Sequence, residues 1–203
     1  MVERQLRRRG IEDERVLAAM GEVPREAFLP EEVRARAYRD GALPIGEGQT
    51  MSQPWIVACM ASLLELGGDE TVLEVGTGSG YGAAVLARCC GEVITIERHA
   101  PLAERARGAL AEAGIENVEV RVGDGQEGAP DRAPFGGISV AATADEEAPQ
   151  ALIDQLAAGA ALVCPVRRAG DEWLMRFRDG AEENVVPVRF VPLVAGAAAA
   201  EAE

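Results

Sequence analysis

Apolar residues in the second half of the chain come in short β-branched runs that alternate with segments of helical spacing. The runs that predict strands are residues 71–75, 92–96, 118–122, 138–142 and 160–166. The segments that predict helices are residues 83–89, residues 102–113 and a stretch that begins near Pro149. Such alternation is typical of parallel strands joined by right-handed crossovers. The pattern therefore predicts an α/β fold with a doubly wound, mostly parallel sheet.

The end of the chain has a different pattern. Two strand-like runs, residues 172–178 and 185–191, follow each other without a helix between them. Asp179-Gly180 is a turn signal, and residues 181–184 complete a looser connection. We expect an antiparallel C-terminal hairpin at the edge of the sheet. Residues 195–203 are mostly Ala and Glu, and we expect them to form a flexible tail.

The first 50 residues carry short helical patterns interrupted by glycine and proline. They predict a small helical N-terminal lobe that ends in a loop at residues 44–50. Residues 54–66 have apolar positions at helical spacing, and Gly67-Gly68 ends that helix. With 203 residues the chain fits one structural domain. Within it we assign residues 1–52 to the lobe and a substrate loop, 53–194 to the core and 195–203 to the tail.

Composition narrows the classes of function. The net charge of −14 and the isoelectric point near 4.6 disfavour contact with phosphate backbones, so no nucleic-acid partner is expected. Apart from His99 every basic residue is an arginine, which excludes a lysine base. The four cysteines form no C-x-x-C pair, so we expect reduced thiols and no metal site. The chain also lacks an apolar signal core or membrane span, which predicts a cytoplasmic protein with no membrane partner.

A glycine-rich loop directly follows the first strand of the core. Gly76, Gly78 and Gly80 let the backbone approach a ligand closely. The dinucleotide fingerprint G-x-G-x-x-G needs a third glycine at position 81 or 83, where Tyr81 and Ala83 stand instead. The observed E-x-G-x-G-x-G form is the loop that methyltransferases place under S-adenosylmethionine.

Three acidic residues belong to the same region. Glu97 ends the second strand, where a carboxylate can accept hydrogen bonds from both hydroxyls of a ribose; a solvated acid beside Arg98 is the alternative. Asp124, inside Gly-Asp-Gly after the third strand, either accepts from an adenine amino group or forms a simple turn. Glu74 precedes the glycines. It either orders the loop or accepts from a methionine amino group through water.

The most specific motif of the chain is residues 48–54, Gly-Gln-Thr-Met-Ser-Gln-Pro. Further motifs are residues 24–30, 74–81, 123–125, 149–152 and 190–193. In this order, from about residue 15 to residue 193, the segments resemble the protein-L-isoaspartate O-methyltransferase family, whose pattern for the first motif is G-Q-T-[IM]-S-[AQ]-P. The resemblance implies a Rossmann-like class I methyltransferase sheet. It also implies S-adenosyl-L-methionine as the methyl donor and S-adenosyl-L-homocysteine as its product.

The resemblance further implies roles for individual residues. Ser52 is the expected active-site serine, in a segment that lines the space between cofactor and substrate. The expected cofactor-binding residues are Gln49, Thr50, Met51, Glu74, Gly76, Gly78, Ser79, Gly80, Glu97, Arg98, Asp124 and Gly125. Two segments depart from the family pattern. Gly136-Gly137 fill a region where the family has an Asp, and residues 144–147 lack the proline of a turn that borders the substrate backbone.

Methyl transfer to a carboxylate needs few catalytic groups. The sulfonium donor is already activated, and a carboxylate is ionised near pH 7, so no general base is required. We expect Ser52 to donate a hydrogen bond to one carboxylate oxygen and to aim the other at the methyl group. From spacing alone, the alternative is a cap for the helix that begins near Pro54.

The expected function, which the resemblance implies, is methylation of the free α-carboxylate of L-isoaspartyl residues in damaged proteins. It starts repair through a succinimide. We expect a monomer whose partners are isoaspartyl proteins and peptides. Two alternatives stay open: a carboxyl methyltransferase for one dedicated peptide, and a non-catalytic cofactor-binding protein. An amino-N-methyltransferase is disfavoured, because the chain has no Pro-Pro pair for the usual [DNS]-P-P-[YFW] segment.

Overall fold

The computed structural model describes residues 1–198, and its central sheet contains every strand region that the sequence pattern predicts. The parallel strands are β3 (Thr71–Val75), β4 (Glu92–Glu97), β5 (Val118–Val122), β6 (Phe135–Val140), β7 (Ala144–Asp145) and β8 (Leu156–Arg168). The antiparallel strands are β9 (Asp171–Arg178) and β10 (Ala181–Pro187). The predicted mostly parallel α/β sheet with an antiparallel C-terminal hairpin is confirmed.

Six helices accompany the sheet within the described residues. They are α1 (Glu14–Glu22), α2 (Glu31–Arg34), α3 (Pro54–Leu63), α4 (Tyr81–Ala87), α5 (Ala100–Glu112) and α6 (Gln150–Ile153). In α5, Leu102, Ala106 and Leu110 repeat every four residues and are buried, so one face of the helix packs on the core. The central strands β3 and β4 have buried apolar side chains on both faces. One face belongs to the core that includes α1, α3, α4 and α5, and the other belongs to the core that includes α6.

Strand order in the main sheet is β10-β9-β8-β6-β3-β4-β5. The chain moves outward from β3 through β4 to β5 and then returns to β6 on the opposite side of β3. This reversal opens a crevice at the carboxyl ends of β3 and β6, the position where open α/β sheets bind ligands. The register across the reversal pairs Val75 with Val140 on one side and with Ile96 on the other.

The N-terminal lobe is helical, but the prediction of a loop at residues 44–50 is wrong. This segment belongs to an antiparallel hairpin of β1 (Leu43–Gly46) and β2 (Gln49–Met51). Glu47 and Gly48 form its turn with φ angles of +53° and +67°. Two central residues with positive φ suit a tight hairpin turn, which brings β2 and the adjoining Ser52 back toward the core.

The last strand is displaced from its predicted position. Asp179 and Gly180, with φ angles of +49° and +77°, form a complete two-residue turn, so β10 starts at once at residue 181. The looser connection predicted at residues 181–184 is therefore wrong, and residues 188–191 lie beyond the strand. Residues 181–184 are exposed at the sheet edge, where no buried face imposes an alternating pattern.

Candidate active site

A cavity of about 320 Å³ opens at the carboxyl ends of the parallel strands. Its walls come from the loops after β3 and β6, the end of β4, Gly125 after β5, the hairpin strand β2, helix α3 and residues 191–194. Eleven of the predicted site residues line it: Gln49, Thr50, Met51, Ser52, Glu74, Gly76, Gly78, Ser79, Glu97, Arg98 and Gly125. Gly80 and Asp124 are not among the lining residues.

The glycines of the loop have distinct roles. Gly76, Gly78 and Gly80 have φ angles of +93°, +54° and +88°, which L side chains rarely adopt. A Cβ on Gly76 would lie 3.3 Å from the Cβ of Ala141, so the loop passes close to the segment after β6. A Cβ on Gly80 would lie 3.2 Å from the Cβ of Ala106. Gly80 therefore permits close packing of α4 against α5, whereas Gly76 and Gly78 border the cavity.

Glu97 is buried at the end of β4 and fastens the loop. One carboxylate oxygen accepts from the Gly78 amide at 2.8 Å, and the other accepts from the His99 amide at 2.9 Å. Each carboxylate oxygen has a second lone pair, so both can also accept from a ligand. The arrangement leaves acceptor capacity for a pair of neighbouring hydroxyl groups.

Glu74 is buried beneath the same loop. Its carboxylate accepts from the Thr95 hydroxyl at 2.6 Å, which lies 2.7 Å from the Thr77 hydroxyl. No Arg or His lies within ion-pair distance of Glu74 among residues 1–198. Burial, aided by the nearby charge of Glu97, raises the pKa of Glu74 to about 8. With the cavity empty, the carboxyl group is therefore mostly protonated near pH 7, and a cation that enters the cavity would favour its ionised form.

Replacing Glu74 with Gln should remove a pH-dependent part of the stability. Between pH 4.5 and about 8 the folded protein keeps a proton on Glu74 that the unfolded chain releases. The free energy of unfolding of the wild type should therefore fall as the pH rises through this window, by an amount on the order of a few kcal/mol. In Glu74→Gln this fall should be absent. Urea denaturation at several pH values measures it. Glu112→Gln, at an exposed position on α5, is the control and should keep the wild-type slope. An unchanged slope in Glu74→Gln would contradict the assignment.

Asp124 and Arg98 fasten the C-terminal segment. The Asp124 carboxylate accepts from the Gln126 amide at 2.9 Å and from the Gly196 amide at 2.6 Å. The Arg98 carbonyl accepts from the Ala198 amide at 2.9 Å. Residues 191–194, which precede these contacts, form part of the cavity wall. The predicted flexible tail thus begins with ordered contacts at residues 196 and 198, and residues 199–203 lie outside the described part of the chain.

Ser52 lies at the boundary of two cavities. The second, of about 580 Å³, is bordered by β2, the start of α3 and residues 187–191, and it shares Thr50, Ser52, Ala141 and Val191 with the first. The Ser52 hydroxyl makes no hydrogen bond to the first amides of α3, whose N-cap residue is Gln53. The capping alternative is therefore wrong, and the hydroxyl remains available to a ligand.

The geometry can be compared with known proteins. The family model for protein-L-isoaspartate(D-aspartate) O-methyltransferase matches residues 1–198. The chain belongs to this family. It is 52% identical, over 96% of its length and 81% of the relative's, to protein-L-isoaspartate O-methyltransferase 1 of Rhodopseudomonas palustris. It is 51% identical, over 96% of its length and 90% of the relative's, to the Methanoculleus marisnigri enzyme of that name.

A solved structure extends the comparison. The protein-L-isoaspartate O-methyltransferase of Plasmodium falciparum, in complex with S-adenosyl-L-homocysteine, is similar with a TM-score of 0.79 and 25% identity. The match covers 93% of this chain and 94% of the Plasmodium chain. The structural similarity therefore extends over nearly the whole length of both chains.

The turn at residues 144–147, which lacks the family's proline, is held by hydrogen bonds of the residue before it. Thr143, just before the altered residues, pairs with the C-terminal segment: its amide donates to the Val191 carbonyl and its carbonyl accepts from the Leu193 amide, both at 2.8 Å. The Thr143 hydroxyl and the Phe190 amide both donate to Glu172. These contacts fix the wall between the two cavities in this member of the methyltransferase family.

The second departure has a packing explanation. Gly136 and Gly137 lie inside β6, and a Cβ on Gly136 would lie 2.6 Å from side-chain atoms of Glu70. That site is at the start of β6, whereas the cavity is at its carboxyl end. The Gly136-Gly137 departure thus does not alter a residue that lines the cavity.

Sequence reasoning missed several residues that line the cavity. They are Gly48, Val57, Met60, Ala61, Val75, Thr77, Tyr81, Gly82, Leu86, Ile96, His99, Ser139, Ala141, Ala142 and residues 191–194. Gly82 has a clear reason to be glycine, because a Cβ there would lie 2.3 Å from a Glu74 carboxylate oxygen. The position of residues 141 and 142 just after a central parallel strand was the signal that could have identified them.

Residues 1–198 contain no group of three or more His, Cys, Asp or Glu side chains arranged to hold a metal ion. The four cysteines are free and buried, and burial raises the pKa of Cys59 to about 11. Over the same residues, no helix combines the length and apolar character needed to cross a membrane.

Proposed function

We propose that this chain transfers a methyl group from S-adenosyl-L-methionine to the free α-carboxylate of L-isoaspartyl residues in damaged proteins. The observation that carries the proposal is the position of Ser52 at the boundary between a glycine-floored cavity and an open groove. Family membership and the S-adenosyl-L-homocysteine complex of the Plasmodium relative support the same conclusion.

The residues around the first cavity fit a cationic nucleoside. Glu97 would accept from the ribose hydroxyls. Glu74 has no ion-pair partner among residues 1–198, and a cation bound beside it would lower its raised pKa, so that the ionised carboxylate could stabilise the positive charge. Val57, Met60 and Leu86 supply apolar surface. The other proposed contacts are Gln49, Thr50, Met51, Gly76, Gly78, Ser79, Arg98 and Gly125. Gly80 contributes through helix packing, and Asp124 contributes through the segment that it fastens.

S-adenosyl-L-methionine, when bound, supplies a methyl group on an activated sulfonium. The protein's task is to hold an ionised carboxylate in line with it and to exclude water. Such orientation can lower a barrier by roughly 7–11 kcal/mol. Ser52 donates its hydroxyl hydrogen to one carboxylate oxygen and leaves the other free to react. No residue has to remove a proton, because the carboxylate is already ionised near neutral pH.

The second cavity is the proposed groove for the peptide. An isoaspartyl peptide must place its free carboxylate at Thr50 and Ser52, the residues that the two cavities share together with Ala141 and Val191. Once the ester has formed, the main-chain nitrogen of the next residue attacks the ester carbonyl and methanol leaves. Water then opens the resulting succinimide to normal aspartate or back to isoaspartate.

The accompanying predictions follow from charge and composition. The net charge of −14 disfavours nucleic acids as partners. We also expect a cytoplasmic monomer. Gel filtration with light scattering tests the oligomeric state. Electrophoretic shift at low salt, where a nucleic-acid contact would be strongest, tests the expected lack of binding.

Transfer of labelled methyl groups to matched peptides tests the proposed function. One peptide carries L-isoaspartate and its twin carries normal aspartate at the same position. We expect base-labile label in the isoaspartyl peptide only. Equal labelling of both peptides would favour a general carboxyl methyltransferase. Cofactor binding without any transfer would favour the non-catalytic alternative.

A further inference from the structure

Arg25 belongs to a segment that matched the family, residues 24–30, and to which the proposed chemistry gives no role. It opens a single 3₁₀ turn, Arg25–Phe28, in the N-terminal lobe, and its side chain is fully buried. A buried guanidinium normally has a carboxylate partner. Within residues 1–198, no Asp or Glu lies within ion-pair distance of Arg25, although the chain contains 34 acidic residues.

The partners of Arg25 are main-chain carbonyls. Its Nε donates to the Ala37 carbonyl at 2.8 Å, and one terminal nitrogen donates to the Ser52 carbonyl at 2.6 Å. The other terminal nitrogen is buried without a partner among the described residues. The buried guanidinium therefore links two segments of the chain by hydrogen bonds. One is in the lobe, at Ala37, and the other is in the active-site loop, at Ser52.

The same guanidinium contacts the cofactor side of the cavity. Its central carbon lies 4.8 Å from the ring centroid of Tyr81, over the ring face, a geometry that attracts a cation. Tyr81 is the first residue of α4, immediately after the glycine loop, and it lines the cavity. Arg25 thus touches both the loop that carries Ser52 and the helix that follows the cofactor loop.

We infer that Arg25 is a positioning residue that sets the distance and orientation of Ser52 relative to the glycine loop. The inference rests on the proposed function of Ser52. The side chain acts on Ser52 through the main-chain carbonyl and not through the hydroxyl. The planar guanidinium has donors in fixed directions, so its hydrogen bond constrains the orientation of that carbonyl as well as its distance. A single ammonium group in its place would hold the carbonyl with less directional control.

The predicted effect of Arg25→Met is a loss of turnover with little change in cofactor affinity. A misplacement of about 1 Å can cost up to about 100-fold in rate, so we expect kcat to fall between about 10-fold and 100-fold. The dissociation constant for S-adenosyl-L-homocysteine should stay within about threefold, measured by calorimetry. Arg25→Lys should lie between the wild type and Arg25→Met.

Arg34→Met is the matched control. Arg34 is in the same lobe and donates to a main-chain carbonyl, that of Leu29, at 3.0 Å, but it contacts neither cavity. Its replacement should leave kcat unchanged. If Arg34→Met lowers kcat as much as Arg25→Met does, the effect comes from the lobe in general and the inference is overturned.

A double-mutant cycle with Ser52→Ala decides the question. If Arg25 acts through Ser52, then Arg25→Met should change kcat by less than about threefold once the hydroxyl is gone. Equal losses in both backgrounds would overturn the inference while leaving the proposed function intact. Absence of isoaspartyl methylation in the wild type would instead reject the proposed function. If Arg25→Met does not fold, Arg25→Lys takes its place in the double-mutant cycle with Ser52→Ala, and the outcomes are interpreted in the same way.

Discussion

Replacing Ser52 with Ala should lower kcat for an isoaspartyl peptide by about 100-fold. A hydrogen bond to a charged group contributes about 1.5–3 kcal/mol, and here that bond also orients the reacting oxygen. Ser52 borders both cavities, and its hydroxyl is not used to cap α3. Steady-state kinetics with saturating methyl donor measures the loss, and calorimetry should find the affinity for S-adenosyl-L-homocysteine within about tenfold of wild type.

Ser62→Ala is the matched control for this prediction. Ser62 lies on α3, the helix that begins two residues after Ser52, and it is outside both cavities. Its buried hydroxyl oxygen has no partner among residues 1–198. Its removal should leave kcat unchanged. The assignment of Ser52 would be wrong if cofactor affinity fell by as much as the rate, because the serine would then act on the donor and not on the carboxylate.

Replacing Glu97 with Ala should lower cofactor affinity strongly and change kcat little, which is the reverse of the result expected for Ser52→Ala. The carboxylate would bond the ribose and already holds the amides of Gly78 and His99. Two charge-assisted hydrogen bonds to hydroxyl groups amount to about 3–5 kcal/mol, so the dissociation constant should rise by more than about 100-fold. At saturating donor, kcat should stay within about threefold.

Two further variants sharpen the test of Glu97. Glu97→Gln keeps one acceptor oxygen and should weaken binding less than Glu97→Ala. Glu116→Ala removes an exposed acid between α5 and β5 and should leave affinity unchanged. If Glu97→Ala retained wild-type affinity, the nucleoside would have to bind away from the end of β4, and the proposed orientation of the cofactor would be excluded.

The core of the fold was predictable because its signals are local. The bounds of β3 and β5 agree with their predicted ranges, since each is an uninterrupted strand pattern followed by glycine. The hairpin β1–β2 was missed because its four-residue first strand contains Pro44 and offers too short an alternation to detect. Strand β10 was displaced because its exposed polar first half has no buried face to impose a pattern.

The parts of the candidate site that were predictable are those whose residues form a recognisable motif in a continuous stretch of sequence or at a strand end. The glycine loop, Glu97 and residues 49–52 carry their signals in the sequence itself, and all of these except Gly80 line the cavity. The contacts of Asp124 were not predictable, since its carboxylate bonds an amide 72 residues away. Arg25 could not be assigned either, because its partners are main-chain carbonyls, which leave no signature in side-chain identity.

The most direct test of the account is a time course of an isoaspartyl peptide with the protein and S-adenosyl-L-methionine, followed by chromatography against synthetic standards. We predict that the isoaspartyl form is consumed, that methyl ester and succinimide appear in turn, and that normal aspartyl peptide accumulates only when the methyl donor is present. An isoaspartyl peptide that stays unchanged, while its aspartyl twin becomes methylated, would contradict the account.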